Sequence, residues 1–222
     1  MSRLERVERK SSNPTSKFMS WKSTEKAFVY YDKSLSENVT VKLPLKIAFL
    51  EHYHTIKGWN DKSESGIYSN EVFSIGIEPL AVKSFKGGEI ASGLYKEIRN
   101  KVRDNGGVYH RSVYVMLEDG SLANLSFKGS VVSAYSDFCK ENDNKFEQKW
   151  IEINSFEEKK KGATKYTVPI FTAGNEFTLE EDSNIVDIAK ILQNYMDTYI
   201  AKGIEVTYTV ESTEDVSEDL EF

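Results

Sequence analysis

Residues 39–86, VTVKLPLKIAFLEHYHTIKGWNDKSESGIYSNEVFSIGIEPLAVKSFK, decide how the chain is read. Val39, Val41, Leu43, Leu45 and Ile47 share one parity, with Thr40, Lys42 and Lys46 on the other. A period of two over this length predicts a half-buried strand. KGWNDKSESG, residues 57–66, has the Gly, Asn, Asp and Ser content of a loop. Apolar residues return from Ile67 to Ile77, and again from Leu80 to Phe85 after Pro79. The pattern predicts a long antiparallel meander. Tyr53, Trp59, Tyr68, Phe73 and Phe85 are interleaved with Lys46, Lys57, Lys62, Lys83 and Lys86. Rings offer flat faces to bases and lysines offer cations to phosphates, which is what a single nucleic-acid strand requires. Aromatics also favour strands for packing reasons alone, so the same pattern suits an ordinary sheet.

Outward from this stretch, residues 1–17 are polar and Ser-rich and are expected to form a flexible arm. Residues 18–31 predict two strands around a turn, with Trp21, Phe28, Tyr30 and Tyr31 close together. Residues 89–103 carry helical apolar spacing through Ile90, Leu94 and Ile98, closed by Asn105-Gly106-Gly107. Residues 108–127 predict a hairpin turning at Asp119-Gly120. A second helix is expected over 129–142. Strands follow at 146–156 and 164–171, with Lys159, Lys160 and Lys161 in the turn and Pro169 marking a sheet edge. A third helix is expected over 182–202, ended by Gly203, and a last strand over Ile204–Val210. Strands before, between and after helices give an α+β, β-dominated fold, best fitted by an OB-like Greek-key barrel with added helices. We expect one such domain over 18–210 and a disordered acidic tail over 211–222.

The net charge of −6 is unevenly placed. Residues 1–103 hold 18 Lys+Arg against 12 Asp+Glu, whereas residues 104–222 hold 11 against 23. Such asymmetry points to a basic working surface and an acidic tail. The single cysteine, Cys139, excludes an internal disulfide framework and fits a reducing compartment. No apolar run approaches the roughly 20 residues that span a bilayer, and the N-terminus lacks the apolar core of a secretory signal. The expectation is therefore a protein away from membranes. P-loop, dinucleotide and nucleophile-elbow signatures are missing. His52 and His54 fall on one strand face, but the spacing of His110, Cys139 and the acids completes no zinc pattern. We expect no cofactor, no metal and no enzymatic activity.

The C-terminal VSEDLEF, residues 216–222, joins consecutive acids to a terminal Phe222. This resembles the tails of bacterial and bacteriophage single-stranded DNA-binding proteins. The run G-x(7)-G-I-Y-S-N-E-V, Gly58 to Val72, and WIEINSFEEKKKGATKYTVPIF, residues 150–171, are similar to uncharacterised bacteriophage proteins encoded near replication genes. The likeness spans about residues 18–175. It implies an OB-fold, sequence-independent single-stranded DNA binding in phage DNA replication or recombination, and the cytoplasm of an infected bacterial host. It also implies that Asp219, Leu220, Glu221 and Phe222 recruit a polymerase, primase or helicase. Within the motif, Gly58 suits a turn, and Ser69-Asn70 a bulge or a side-chain-to-backbone bond.

The candidate stacking residues are Trp21, Tyr30, Tyr31, Tyr53, Trp59 and Tyr68. The candidate backbone-binding residues are Lys22, Lys46, Lys57, Lys62, Lys83, Lys86 and Lys128. A homo-oligomer is compatible with this reading. The alternative is a bacteriophage virion structural or assembly protein without catalytic activity.

Overall fold

The computed structural model describes residues 13–143 and 145–214, with side chains as far as residue 199. Among these residues eleven strands and three helices follow one another. They are β1 (Lys17–Lys22), β2 (Ala27–Asp32), β3 (Glu37–Val41), β4 (Leu45–Asn60), β5 (Ser65–Ser69), β6 (Leu80–Ser84), β7 (Gly88–Gly93), α1 (Tyr95–Asp104), β8 (Gly107–Leu117), β9 (Leu122–Lys128), α2 (Ser130–Glu141), β10 (Lys149–Lys161), β11 (Thr164–Glu176) and α3 (Leu179–Glu214). The fold is α+β and β-dominated. The strands join in one open mixed sheet ordered β3-β2-β1-β9-β8-β4-β5-β6-β7, while β10 pairs with β4 and β11. Among the described residues only the β1–β9 pairing is parallel.

β4 is the spine of the sheet. Most of its length pairs with β8 along one edge, Ile47 with Leu117 at one end and Gly58 with Gly107 at the other. Its other edge is shared. Leu45–Ala48 take β10 and Lys57–Asn60 take β5. This fork divides the molecule into two cores. Ile47, Val113, Val115, Leu125 and Phe127 pack with Ile151, Ile153 and Phe171 under Tyr135 and Phe138 of α2. Ile56, Ile67, Leu80 and Val82 pack under Ile98 and Val102 of α1. The opposite face of the β4–β8 ladder takes α3. Ile185 meets Ala48, Met116 and Trp150, and Leu192 and Met196 meet Tyr53 and Tyr114. The middle of β4 is thus buried on both faces, which explains why polar alternation fades in LKIAFLEHYHTI.

Several expectations need correction. The run 39–47 is two strands, since Pro44 has no amide for a sheet ladder and the strand is interrupted over residues 42–44. The loop expected at 57–66 shrinks to residues 61–64, and Lys57, Gly58, Trp59 and Asn60 belong to β4. The reason is visible at Gly58, where a methyl group would lie 2.1 Å from the Gly106 carbonyl oxygen. Gly58 permits close strand approach and makes no turn. The return run 67–77 stops as a strand at Ser69, and beyond it only Val72 bridges back, to His54. The helix expected from residue 89 begins at Tyr95, because Glu89–Gly93 pair with β6 and bury Ile90 and Ala91. β10 and β11 run on to Lys161 and from Thr164, so the three lysines stand on strand. Gly203 does not end α3, and Ile204–Val210 is helical. α3 runs on to Glu214, and residues 215–222 of the expected tail lie outside the described residues. The hairpin at Asp119-Gly120, the helix near 129–142 and Pro169 on an edge strand are as expected.

Candidate nucleic-acid interface

Strand pairing determines which side chains share a face. Lys57 pairs with Tyr68, and Tyr68 with Lys83, so these three form one row across β4, β5 and β6. Trp59 pairs with Gly66, and the Phe85 ring lies across Gly66, within 3.3 Å of where a β-carbon would stand. Val108 joins the first row opposite Lys57. The other face of the same strands is the core under α1, so this row points outward. Trp59 is 56% exposed, Tyr68 39%, Phe85 74% and Val108 45%. The Tyr68 and Phe85 rings stack with centroids 4.6 Å apart and planes 30° from parallel. Exposed aromatics scattered singly need no explanation, but a contiguous patch across three strands does.

The cations lie around this row. Lys83 is within it, Lys62 is in the turn after Trp59, and Lys86 follows Phe85. Lys128 pairs with His110, which pairs with Thr55, two residues before Lys57. Lys57 is half-buried and donates from Nζ to Ser126 Oγ at 3.0 Å. Burial lowers its pKa, opposed by the carboxylate of Glu71. His110 shares Ser126 Oγ, 2.9 Å from its Nδ1, and is pushed down to about 4 by burial and by Lys57 and Lys128 beside it. It is therefore neutral at pH 7. Carboxylates are also present, with Glu89 opposite Lys83 and Asp61 and Glu64 in the turn. The patch is aromatic first and cationic second.

The motif around Tyr68 builds this platform. Ser69 Oγ accepts the Ile56 amide at 2.8 Å, the backbone group left over where β5 leaves β4. Asn70 Oδ1 accepts the Ala81 amide at 2.8 Å and its Nδ2 donates to the Pro79 carbonyl, fastening the start of β6. Glu71 accepts from the Ser112 and Tyr114 hydroxyls, the latter at 2.8 Å. Ser69 and Asn70 thus supply bonds that the interrupted ladder lacks, and Glu71 ties the same segment to side chains of β8.

Of the sequence-predicted residues, Lys57, Trp59, Lys62, Tyr68, Lys83, Lys86 and Lys128 come together here. Six others do not. Trp21 is 8% exposed, and its Nε1 donates to the Thr167 carbonyl at 2.9 Å inside the larger core. Tyr53 is 6% exposed beneath α3. Tyr30 packs against the larger core. Tyr31 is exposed on β2, four strands from β4, about 20 Å at sheet spacing. Lys22 is exposed at the end of β1. Lys46 lies near the far end of β4, its ammonium 4.5 Å from the Trp150 ring centroid and 3.5 Å from Glu118. Asp219, Leu220, Glu221 and Phe222 lie outside the described residues.

Sequence reasoning placed Phe85 in the meander but not among the stacking residues, and it overlooked Val108. Gly66 was the available signal, since a glycine opposite a tryptophan in a strand marks a space that another ring can fill. Lys159 and Lys160 are joined by Lys26 and Lys165 around Ser23, Thr24 and Thr167, a second basic hollow on other strands. Glu158 and Glu157 already engage Lys26 and Lys159 there. Among the described residues no three His, Cys, Asp or Glu side chains converge on a metal position. Nor is any helix there long and apolar enough to cross a membrane. No protein-family model, curated protein or solved structure matches the chain.

Proposed function

We propose that the chain binds single-stranded DNA without sequence preference, through the outward face of β4, β5 and β6. The observation that carries this reading is the exposed row of Trp59, Tyr68 and Phe85 with lysines at its margins. Stacking supplies roughly 1–3 kcal/mol per base and tolerates any base, because every base has a π-face. In this reading the strands around β4 act as an OB-like platform of a phage-type replication or recombination protein. The tail ending in Phe222 recruits a replication partner.

Single strands of about ten nucleotides should bind more tightly than duplex, since duplex bases are already stacked and cannot reach the rings. Affinity should fall with salt by roughly 0.7 log units per phosphate neutralised and per tenfold salt. Binding should quench Trp59, the exposed tryptophan, while Trp21 and Trp150 are buried. A filter-binding and fluorescence titration with labelled oligonucleotides measures all three. Equal affinity for duplex and single strand, or quenching retained in Trp59→Phe, would overturn the reading.

A further inference from the structure

The face of the β4–β8 ladder opposite the aromatic row carries a second polar feature. Along this face run Phe49, His52, His54 and Ile56 of β4, paired with Val115, Val113, Arg111 and Tyr109 of β8. α2 covers the Val113 end and α1 covers the Ile56 end. Between the two apolar cores the sheet presents His52, His54, Arg111 and Tyr109. The His52 ring lies 6.5 Å from Tyr135 of α2, and Tyr109 lies 5.8 Å from Tyr95 of α1, so both helices border the saddle. His54 Nδ1 is 2.6 Å from the Tyr109 hydroxyl, which leaves its Nε2 free of that bond.

Arg111 has no ion pair among the described residues. Its Nε and the Nδ1 of His52 are both buried without a hydrogen-bond partner among the described residues. Buried polar groups are almost always satisfied, and two orphans on neighbouring side chains mark a place where an acceptor is missing. Glu51 does not fill the role, because its Oε1 is turned back onto the His52 amide at 2.8 Å. Burial and the adjacent guanidinium hold His52 and His54 down to about 4. Both rings are therefore neutral N–H donors at pH 7, and Arg111 is the saddle's cation.

We propose that this saddle is a phosphate-binding site, in which Arg111 takes the oxyanion with its guanidinium fork and His52 and His54 donate to the remaining oxygens. A phosphoryl group offers acceptors in several directions, which suits donors arriving from two strands, whereas a planar carboxylate is used up by the fork alone. The site is separate from the stacking face and does not depend on it.

The test uses the full chain at pH 7 and constant ionic strength, following the imidazole NMR resonances while chloride is exchanged for inorganic phosphate. His52 and His54 should shift saturably, and His110, on the other face, should not. Arg111→Gln should weaken binding at least tenfold. His52→Phe, which keeps a ring against Tyr135, should weaken it as well and serves if the arginine variant fails to fold. Trp59→Ala should leave the phosphate titration unchanged, which separates this site from the DNA reading. A nucleoside monophosphate and a dinucleoside phosphodiester then distinguish a free or terminal phosphate from a nucleic-acid backbone as the natural source. Resonances unmoved by phosphate, equal shifts with formate, or undiminished binding in both folded variants would overturn the proposal.

Discussion

Two tryptophans show how the same residue type takes opposite roles. Trp21 is enclosed with its indole N–H satisfied, so Trp21→Ala should cost about 3–5 kcal/mol of folding stability. Trp59 touches no core, so Trp59→Ala should leave the melting temperature within a few degrees and weaken single-strand binding by roughly 1–3 kcal/mol. Phe85→Ala should behave like Trp59→Ala. Calorimetric melting beside oligonucleotide titration checks both. Loss of folding in Trp59→Ala with affinity retained in the folded fraction would place that ring in the core. The histidines make a third prediction. His52, His54 and His110 have folded pKa values near 4 against an ordinary 6.5, all lowered chiefly by burial. The unfolded chain therefore binds more protons between pH 6.5 and 4. Stability is fully present above pH 6.5 and falls as pH drops toward 4. Glu51, raised mainly by burial, works the other way and offsets part of this at the acidic end. Melting temperatures across pH 4–7 should show the fall, and His110→Gln should flatten it. A profile unchanged by that substitution would remove His110 from the account.

Among the elements, β4 bears most of the architecture. Its length lets one strand serve two cores, and the glycine pinch makes that length possible. Gly58 faces the Gly106 carbonyl, and Gly106 faces the Trp59 carbonyl, each with room for hydrogen only. Gly58→Ala must push backbone against backbone, so it should destabilise by about 1–3 kcal/mol or more and should disturb the register that aims Trp59 outward. Gly76→Ala, in open space, is the matched control. Chemical denaturation of both variants checks this, and equal stability would mean the pinch relaxes freely. The helices were easier to read where one face alone is apolar, as in α2. They were harder where chain segments of similar composition belong to the sheet, as in Glu89–Gly93. There the pairing with β6 overrides helical spacing.

Over the full chain, charge placement bears on binding. Removing residues 211–222 takes away six acids and no base, moving the formal charge from −6 to zero. Repulsion of DNA phosphates weakens with it. A chain ending at Val210 should bind single strands more tightly at low salt, and little differently near 1 M, where screening acts over about 3 Å. It should also lose any replication partner held by the tail. Unchanged or weaker DNA binding at low salt would remove the acidic residues as electrostatic competitors.

Much of this protein is legible in local pattern. Alternation marked the strands β8 and β9, Asp119-Gly120 their tight hairpin, Pro169 the edge, and the Lys-aromatic interleaving the patch that Trp59, Tyr68, Lys57 and Lys83 form. These features depend on neighbours within a few residues, which the order of amino acids already contains. The fork of β4 between β5 and β10, the burial of Trp21 and Tyr53, the place of Phe85 over Gly66 and the meeting of Arg111 with His52 and His54 were not legible. Each depends on which strands become neighbours, and pairing between distant segments is chosen by the packing of the whole sheet. A ring's parity names two faces, and the fold alone decides which of them a helix covers.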